Sequence, residues 1–135
     1  MSIFDLPPLP LNEELTTILA EKENIRIERI VSTGQTTGWY DQDQSEFVVL
    51  LDGNATIEFE EFKTISNDTD KNTDNDTSND TSNDTGNNTG NNTGNEKAKH
   101  VSLTKGSALM IQPHEKHRVS YTSSDPPCVW LCVFF

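Results

Sequence analysis

The chain has 135 residues and a net charge of −12, and its composition divides into two parts. The 29 residues of Asn67–Asn95 contain no apolar side chain, whereas the other 106 residues are about 44% apolar with glycine included, close to the roughly 45–50% of soluble globular domains. A single domain over residues 1–135 is therefore expected, which excludes a multidomain enzyme. The acidic charge makes nucleic acid and membrane surfaces poor partners.

The N-terminal residues are predicted to form a helix. Residues 1–8 lack the basic and apolar regions of a signal peptide, so a cytoplasmic protein is expected. The helix is predicted over residues 12–22, because Asn12 can cap it and apolar side chains recur at i, i+3 and i+4, at Leu15, Ile18 and Leu19.

The rest of the ordered part is predicted to be β-structure. Short apolar segments separated by turn residues predict seven or eight antiparallel strands, at residues 25–31, 39–44, 46–51, 55–62, 101–104, 108–111, 117–122 and 128–135. Asp52-Gly53 is a hairpin signal between two of them. These features indicate an all-β sandwich or barrel.

The last of these segments is apolar on both faces. Such a strand is expected to be buried within the sandwich or in a homodimer interface, and both alternatives remain open. Cys128 and Cys132 would lie about 13 Å apart along it, too far for a disulfide, so we expect two buried free thiols.

Asn67–Asn95 is a four-residue repeat in which threonine recurs at every fourth position. With nothing apolar to bury, it is predicted to be a disordered insertion within the barrel. Its Asn-x-Thr sequons would accept glycans only in a secreted protein, and its aspartates lack the spacing of an EF-hand calcium loop. An inert insertion is the favoured interpretation.

Two sets of residues in the predicted strands and the turns between them have a distinctive spacing. The first has five, one, three and six intervening residues, at Gly34, Tyr40, Gln42, Glu46 and Gly53. The second has five, one and two, at Gly106, Gln112, His114 and His117. Both resemble the motifs of the cupin family, Gly-x5-His-x-His-x3-Glu-x6-Gly and Gly-x5-Pro-x-Gly-x-x-His. The resemblance implies a jelly-roll barrel over the whole ordered part of the chain.

In that family the motif histidines and the glutamate hold one divalent metal ion. Here Glu46 and His117 retain ligand identity, whereas Tyr40 and Gln42 occupy the other two positions. A β-bulge would move Asp43 onto the face of Glu46. A metal site of Asp43, Glu46, His117 and His114 is then a hypothesis, and such a nitrogen and oxygen set suits Zn²⁺, Mn²⁺, Fe²⁺ or Ni²⁺.

The same residues suggest three functions. The first is binding of a small polar ligand inside the barrel, with contacts from Tyr40, Gln42, Glu46, His117 and Tyr121. The second is a metal-dependent enzyme, an isomerase or dioxygenase, as the resemblance implies. The third is a non-catalytic scaffold whose acidic repeat tethers a basic partner. Convergence of the polar residues in one cavity would favour the first two functions.

Overall fold

The computed structural model describes residues 2–60 and 98–135, so the predicted insertion at 67–95 lies outside the described residues. Met1–Phe59 and His100–Phe135 form one compact unit, the first of two into which the chain divides. Every side chain discussed below belongs to the first unit.

The described residues form eight strands: β1 (Leu15–Lys22), β2 (Ile25–Ser32), β3 (Glu46–Asp52), β4 (Ala55–Glu60), β5 (Ala98–Leu103), β6 (Ala108–Ile111), β7 (His117–Thr122) and β8 (Cys128–Phe134). They build two antiparallel sheets. One sheet has the order β1-β2-β8-β3-β6 and the other has the order β5-β4-β7. The predicted all-β class is confirmed.

The predicted N-terminal helix over residues 12–22 is wrong. These residues instead contribute β1, which pairs antiparallel with β2 from Leu15 opposite Val31 to Lys22 opposite Ile25. The side chain of Ile18, on which the helical periodicity depended, is 53% exposed. Pairing with β2 satisfies the backbone hydrogen bonds that a helix would have made internally, so tertiary context overrides a weak local pattern.

No helix is found in residues 2–60 and 98–135, and hence none there that could span a membrane. The predicted strand at 39–44 is also absent. Only an isolated bridge between Tyr40 and His117 forms in that segment, which nevertheless fixes its position beside β7.

The apolar C-terminal strand β8 lies in the middle of the five-stranded sheet, between β2 and β3. Its side chains Val129 and Trp130 point to opposite faces and are both buried, which explains the continuous apolar run. Cys128 and Cys132 are buried free cysteines, as predicted.

The core lies between the two sheets. Its fully buried side chains come from strands of both, with Leu50 on β3, Ile57 on β4 and Ile111 on β6. The turns that connect these strands carry the motif glycines Gly34, Gly53 and Gly106, whose φ angles are 94°, 91° and 90°. The spacing recognised in the sequence therefore marks turns that need a left-handed backbone.

Candidate ligand-binding site

The inward faces of the strands line a cavity of about 260 Å³. One part of its wall is apolar, with Val48, Ile57, Ile111, Val119, Trp130 and Phe134. The other part carries titratable or polar side chains, with Glu14, Thr16, Arg26, Glu28, Thr37, Tyr40, Gln42, Glu46, Cys132 and His117. Apolar walls with a few polar groups are typical of small-molecule sites.

Four of the five predicted ligand contacts converge in this cavity: Tyr40, Gln42, Glu46 and His117. The Tyr40–His117 bridge positions two of them, because the Tyr40 N–H donates to the His117 carbonyl at 2.7 Å and the His117 N–H donates back at 3.1 Å. The other two lie at the start of β3 and just before it. Two motifs far apart in sequence thus contribute to one wall.

The Glu46 carboxylate is buried in this wall, with a residue exposure of 8%. Gln42 Nε2 donates a hydrogen bond to Glu46 Oε1 at 3.0 Å. A buried carboxylate needs such donors because desolvation of the charge is costly. Gln42 therefore holds the Glu46 side chain at a defined position.

His117 lies at the start of β7 and is 4% exposed. Its Nδ1 atom is 2.8 Å from the carbonyl oxygen of Glu115, and because a carbonyl oxygen only accepts, Nδ1 carries a proton. In the neutral imidazole, Nε2 is then an acceptor. This atom lies 3.8 Å from Glu46 Oε1, which is longer than a hydrogen bond.

Tyr40 lies at the rim, with 45% of the residue exposed. Its ring centroid is 5.6 Å from that of His117, with the rings tilted by 41°. Partial burial raises the pKa of the Tyr40 hydroxyl, and the nearby Glu14 carboxylate raises it further. The phenol is therefore kept neutral and can donate a hydrogen bond.

Sequence reasoning missed two further acidic residues that line the cavity, Glu14 and Glu28. Glu14 precedes β1, and its Oε2 accepts a hydrogen bond from the Ser32 hydroxyl at 3.0 Å. The Ser32 oxygen accepts in turn from Trp130 Nε1 at 3.2 Å. Burial raises the pKa of Glu14, although the Ser32 hydrogen bond opposes this.

Two further charged residues come from β2. Arg26 Nε lies 2.6 Å from Glu28 Oε2, and the guanidinium lies 4.5 Å from the centroid of the Phe134 ring. The sequence signal that could have indicated this part of the wall is the mixture of charged and apolar residues in Ile25–Ser32. That signal was ambiguous, because Arg29 on the opposite face is charged as well.

Cys132 also lines the cavity. Burial raises the pKa of its thiol well above the usual value, and the adjacent Glu46 carboxylate adds to this effect. The thiol is therefore kept protonated, which makes it a poor nucleophile.

Tyr121, which was predicted to contact the ligand, is not part of the cavity wall. In the pairing of β4 with β7, Thr56 lies opposite Tyr121 and Ile57 lies opposite Val119. Ser120 is therefore an extra residue in β7, a β-bulge that reverses the alternation. As a result the Tyr121 residue is 52% exposed.

The hypothetical metal set is divided between the cavity and the surface. Asp43 is exposed, and the exposed His114 side chain makes a contact of 2.8 Å with Asp41. Within residues 2–60 and 98–135 no group of three or more His, Cys, Asp and Glu could hold a metal ion. Glu46 and His117, with an amide and a phenol beside them, do not fit the four-donor site that the cupin motifs imply.

Comparison with known proteins supports the fold. No protein-family model and no curated protein matches the chain. A candidate mannose-6-phosphate isomerase from Ralstonia eutropha is 26% identical, with a TM-score of 0.68 over 99% of this chain and 94% of that one.

Two further solved structures are similar in fold. A cupin superfamily protein from Desulfitobacterium hafniense is 14% identical, with a TM-score of 0.60 over 96% of this chain and 83% of that one. A cupin 2 conserved barrel domain protein from Leptotrichia buccalis is 11% identical, with a TM-score of 0.58 over 95% and 43%. The arrangement of strands, the motif turns and these similarities together show that the chain has the fold of the cupin superfamily.

Proposed function

We propose that this cupin barrel protein binds a small polar ligand in its cavity, with Glu46 and His117 as the principal polar contacts. The observation that carries the proposal is the pair of buried acceptors, Glu46 Oε1 and His117 Nε2, 3.8 Å apart without a hydrogen bond between them. Glu46 Oε1 already accepts a hydrogen bond from Gln42 Nε2 and has a second lone pair, whereas His117 Nε2 has no hydrogen bond to the described residues, and polar atoms of buried side chains are normally satisfied. A ligand with an N–H or O–H group can donate to both.

The supporting residues have distinct roles in this proposal. Gln42 orients Glu46 through its 3.0 Å hydrogen bond, and the Glu115 carbonyl orients the imidazole. Tyr40 lies at the rim, where its hydroxyl can contact the exposed end of the ligand. The apolar wall, including Val48 and Ile111, would enclose the remainder.

The test is ligand-dependent thermal stabilisation, measured over a library of small alcohols, sugars, amines and acids. A ligand at about 100 times its Kd stabilises by about 2.7 kcal/mol, which raises the Tm of a domain of this size by several degrees. We expect Glu46→Gln and His117→Ala to abolish the shift while the unliganded protein still unfolds cooperatively.

The chain offers matched controls for both variants. Asp43→Asn and His114→Ala change the same side-chain types nearby but outside the cavity wall, so the ligand-dependent shift should persist. If these two variants lost the shift while Glu46→Gln and His117→Ala kept it, the ligand would bind elsewhere. If no compound stabilised the wild-type protein, the proposal would be refuted.

A second candidate function follows from the Ralstonia protein, whose name suggests isomerisation of a sugar phosphate. Three glutamates line the cavity here, and its one arginine contacts Glu28, so a phosphate dianion would meet an unfavourable field. Turnover of mannose 6-phosphate, tested with and without added Zn²⁺ or Mn²⁺, would establish this function in place of simple binding.

A further inference from the structure

We propose that the ligand of this cavity is a compact amine, with a protonated nitrogen at Glu46 and an apolar body against the opposite wall. This inference rests on the proposed function and specifies the chemical class of its ligand. It depends on three observations: the balance of charges in the cavity, the acceptor atoms of Glu46 and His117 that face it, and the chemistry and size of the walls.

The balance of charges in the cavity is negative. Three carboxylates line it, from Glu14, Glu28 and Glu46, against one guanidinium from Arg26. Arg26 is engaged by Glu28 at 2.6 Å. In the part of the chain that the structure describes, Glu14 has no cationic partner, and Glu46 has one only if His117 is protonated. Carboxylates at a partly desolvated surface favour a cation from the ligand.

The orientation of His117 is an independent observation. Its side chain is only 5% exposed, Nδ1 donates to Glu115, and Nε2 faces the cavity without a hydrogen bond to any described residue. Nε2 and Glu46 Oε1 thus present two acceptors to the same point. An ammonium group carries three donors and no acceptor, so it satisfies both acceptors and repels neither.

The walls define the rest of the ligand. The volume of about 260 Å³ lies just below the roughly 300–1,000 Å³ of typical ligand pockets, which favours a compact molecule. The apolar side chains Val48, Ile57, Ile111 and Phe134 offer no polar partner to a second charged group. Trp130 presents only its ring, because its N–H is bound to Ser32.

The experiment compares molecules that differ only in the charged group. Benzyl, cyclohexyl and isobutyl bodies are each tested as the amine, the alcohol and the carboxylate, by calorimetry and by thermal shift at neutral pH. We expect at least one amine to bind at least tenfold more tightly than its matched alcohol, and the carboxylates to give no binding.

The variants assign the effect to the cavity. Glu46→Gln and, independently, Glu14→Gln should weaken amine binding at least tenfold and bring it close to the affinity of the alcohol. Asp43→Asn and Glu13→Gln remove exposed carboxylates of the same types and should leave the affinity unchanged. Since the two cavity variants can be compared independently, loss of folding in one leaves the other informative.

The outcomes separate this inference from the proposed function. Suppose that an alcohol or a sugar binds with an affinity equal to or higher than that of every amine, and that Glu46→Gln abolishes this binding. This result would overturn the amine inference and support the cavity as a ligand site. If Asp43→Asn weakened amine binding as much as the two cavity variants, the amine inference would also be overturned, because the effect would then come from the overall charge of the protein. Absence of binding by every compound would overturn both.

Discussion

The turn at Gly53 allows a sharp test of how closely the strands approach each other near the core. Gly53 connects β3 to β4 with a φ of 91°, and it is buried. A Cβ atom at this position would lie 2.6 Å from the carbonyl oxygen of Pro127 and 2.8 Å from the Cα of Cys128. Both are backbone atoms, so neither can rotate away from an alanine side chain.

The magnitude follows from two reference positions. Gly106 has nearly the same φ, 90°, but no atom lies within 4 Å of the point that an alanine methyl group would occupy there. Gly106→Ala therefore measures backbone strain of about 1–2 kcal/mol, reduced by the about 0.4–1 kcal/mol that alanine gains by restricting the unfolded chain. Gly38 has open space around it and no positive φ, so Gly38→Ala measures only the stability gained by restricting the unfolded chain.

Gly53→Ala adds an overlap with backbone to the strain, and overpacking typically costs about 1–3 kcal/mol. We therefore expect a loss of about 2–4 kcal/mol, against about 0.5–1.5 kcal/mol for Gly106→Ala and a small gain for Gly38→Ala. Urea unfolding monitored by tryptophan fluorescence gives all three values. Equal losses for Gly53→Ala and Gly106→Ala would refute the close approach of Gly53 to the start of β8.

Three more predictions concern the core, the thiols and a carboxylate. Leu50→Ala, at a fully buried site, should cost about 2–5 kcal/mol, whereas Ile18→Ala at an exposed site should cost below about 0.5 kcal/mol; similar losses in denaturant titrations would contradict the assigned core. Cys128 and Cys132 are buried, so a disulfide reagent should label them only after unfolding; rapid labelling of the native protein would contradict this. Burial raises the pKa of Glu14 above 4.5, so its contribution to stability is present below that pH and is lost as the pH rises through the folded-state pKa. Glu14→Gln should therefore be more stable than the wild type at neutral pH and lose less stability between pH 4 and 7, and unchanged unfolding curves would argue against the shift.

Part of the candidate site could be predicted from the sequence. The resemblance to the cupin motifs implied that Glu46 and His117 lie in one site although they are 71 residues apart, and both side chains line the cavity. The side chains of Gln42 and Glu46, which belong to the same motif, form a hydrogen bond, although the strand predicted over residues 39–44 is absent.

Other site residues could not be assigned in this way. Tyr121 points outward because a single bulge at Ser120 reverses the alternation of side chains along β7. This bulge contains no glycine, so the residue types in the sequence do not predict it. Asp43 lies within the first motif and His114 belongs to the second, but neither residue is part of the cavity wall. The acidic character of the cavity also depends on Glu14 and Glu28. Glu14 precedes the strand that was mispredicted as a helix, and Glu28 lies on β2, whose inward face was ambiguous in the sequence.

Three properties were determined by the sequence itself. They are the division of the chain into a repeat without apolar residues and a domain with a core, the all-β class, and the positions of the motif turns. These properties depend on composition and on local backbone geometry. Only the tertiary structure decided that residues 15–22 form a strand, which charged side chains face inward, and that three carboxylates share one cavity. The physical reason is that strand pairing is a long-range interaction. It decides which face of each strand is buried, and one extra residue in a strand is enough to exchange the two faces.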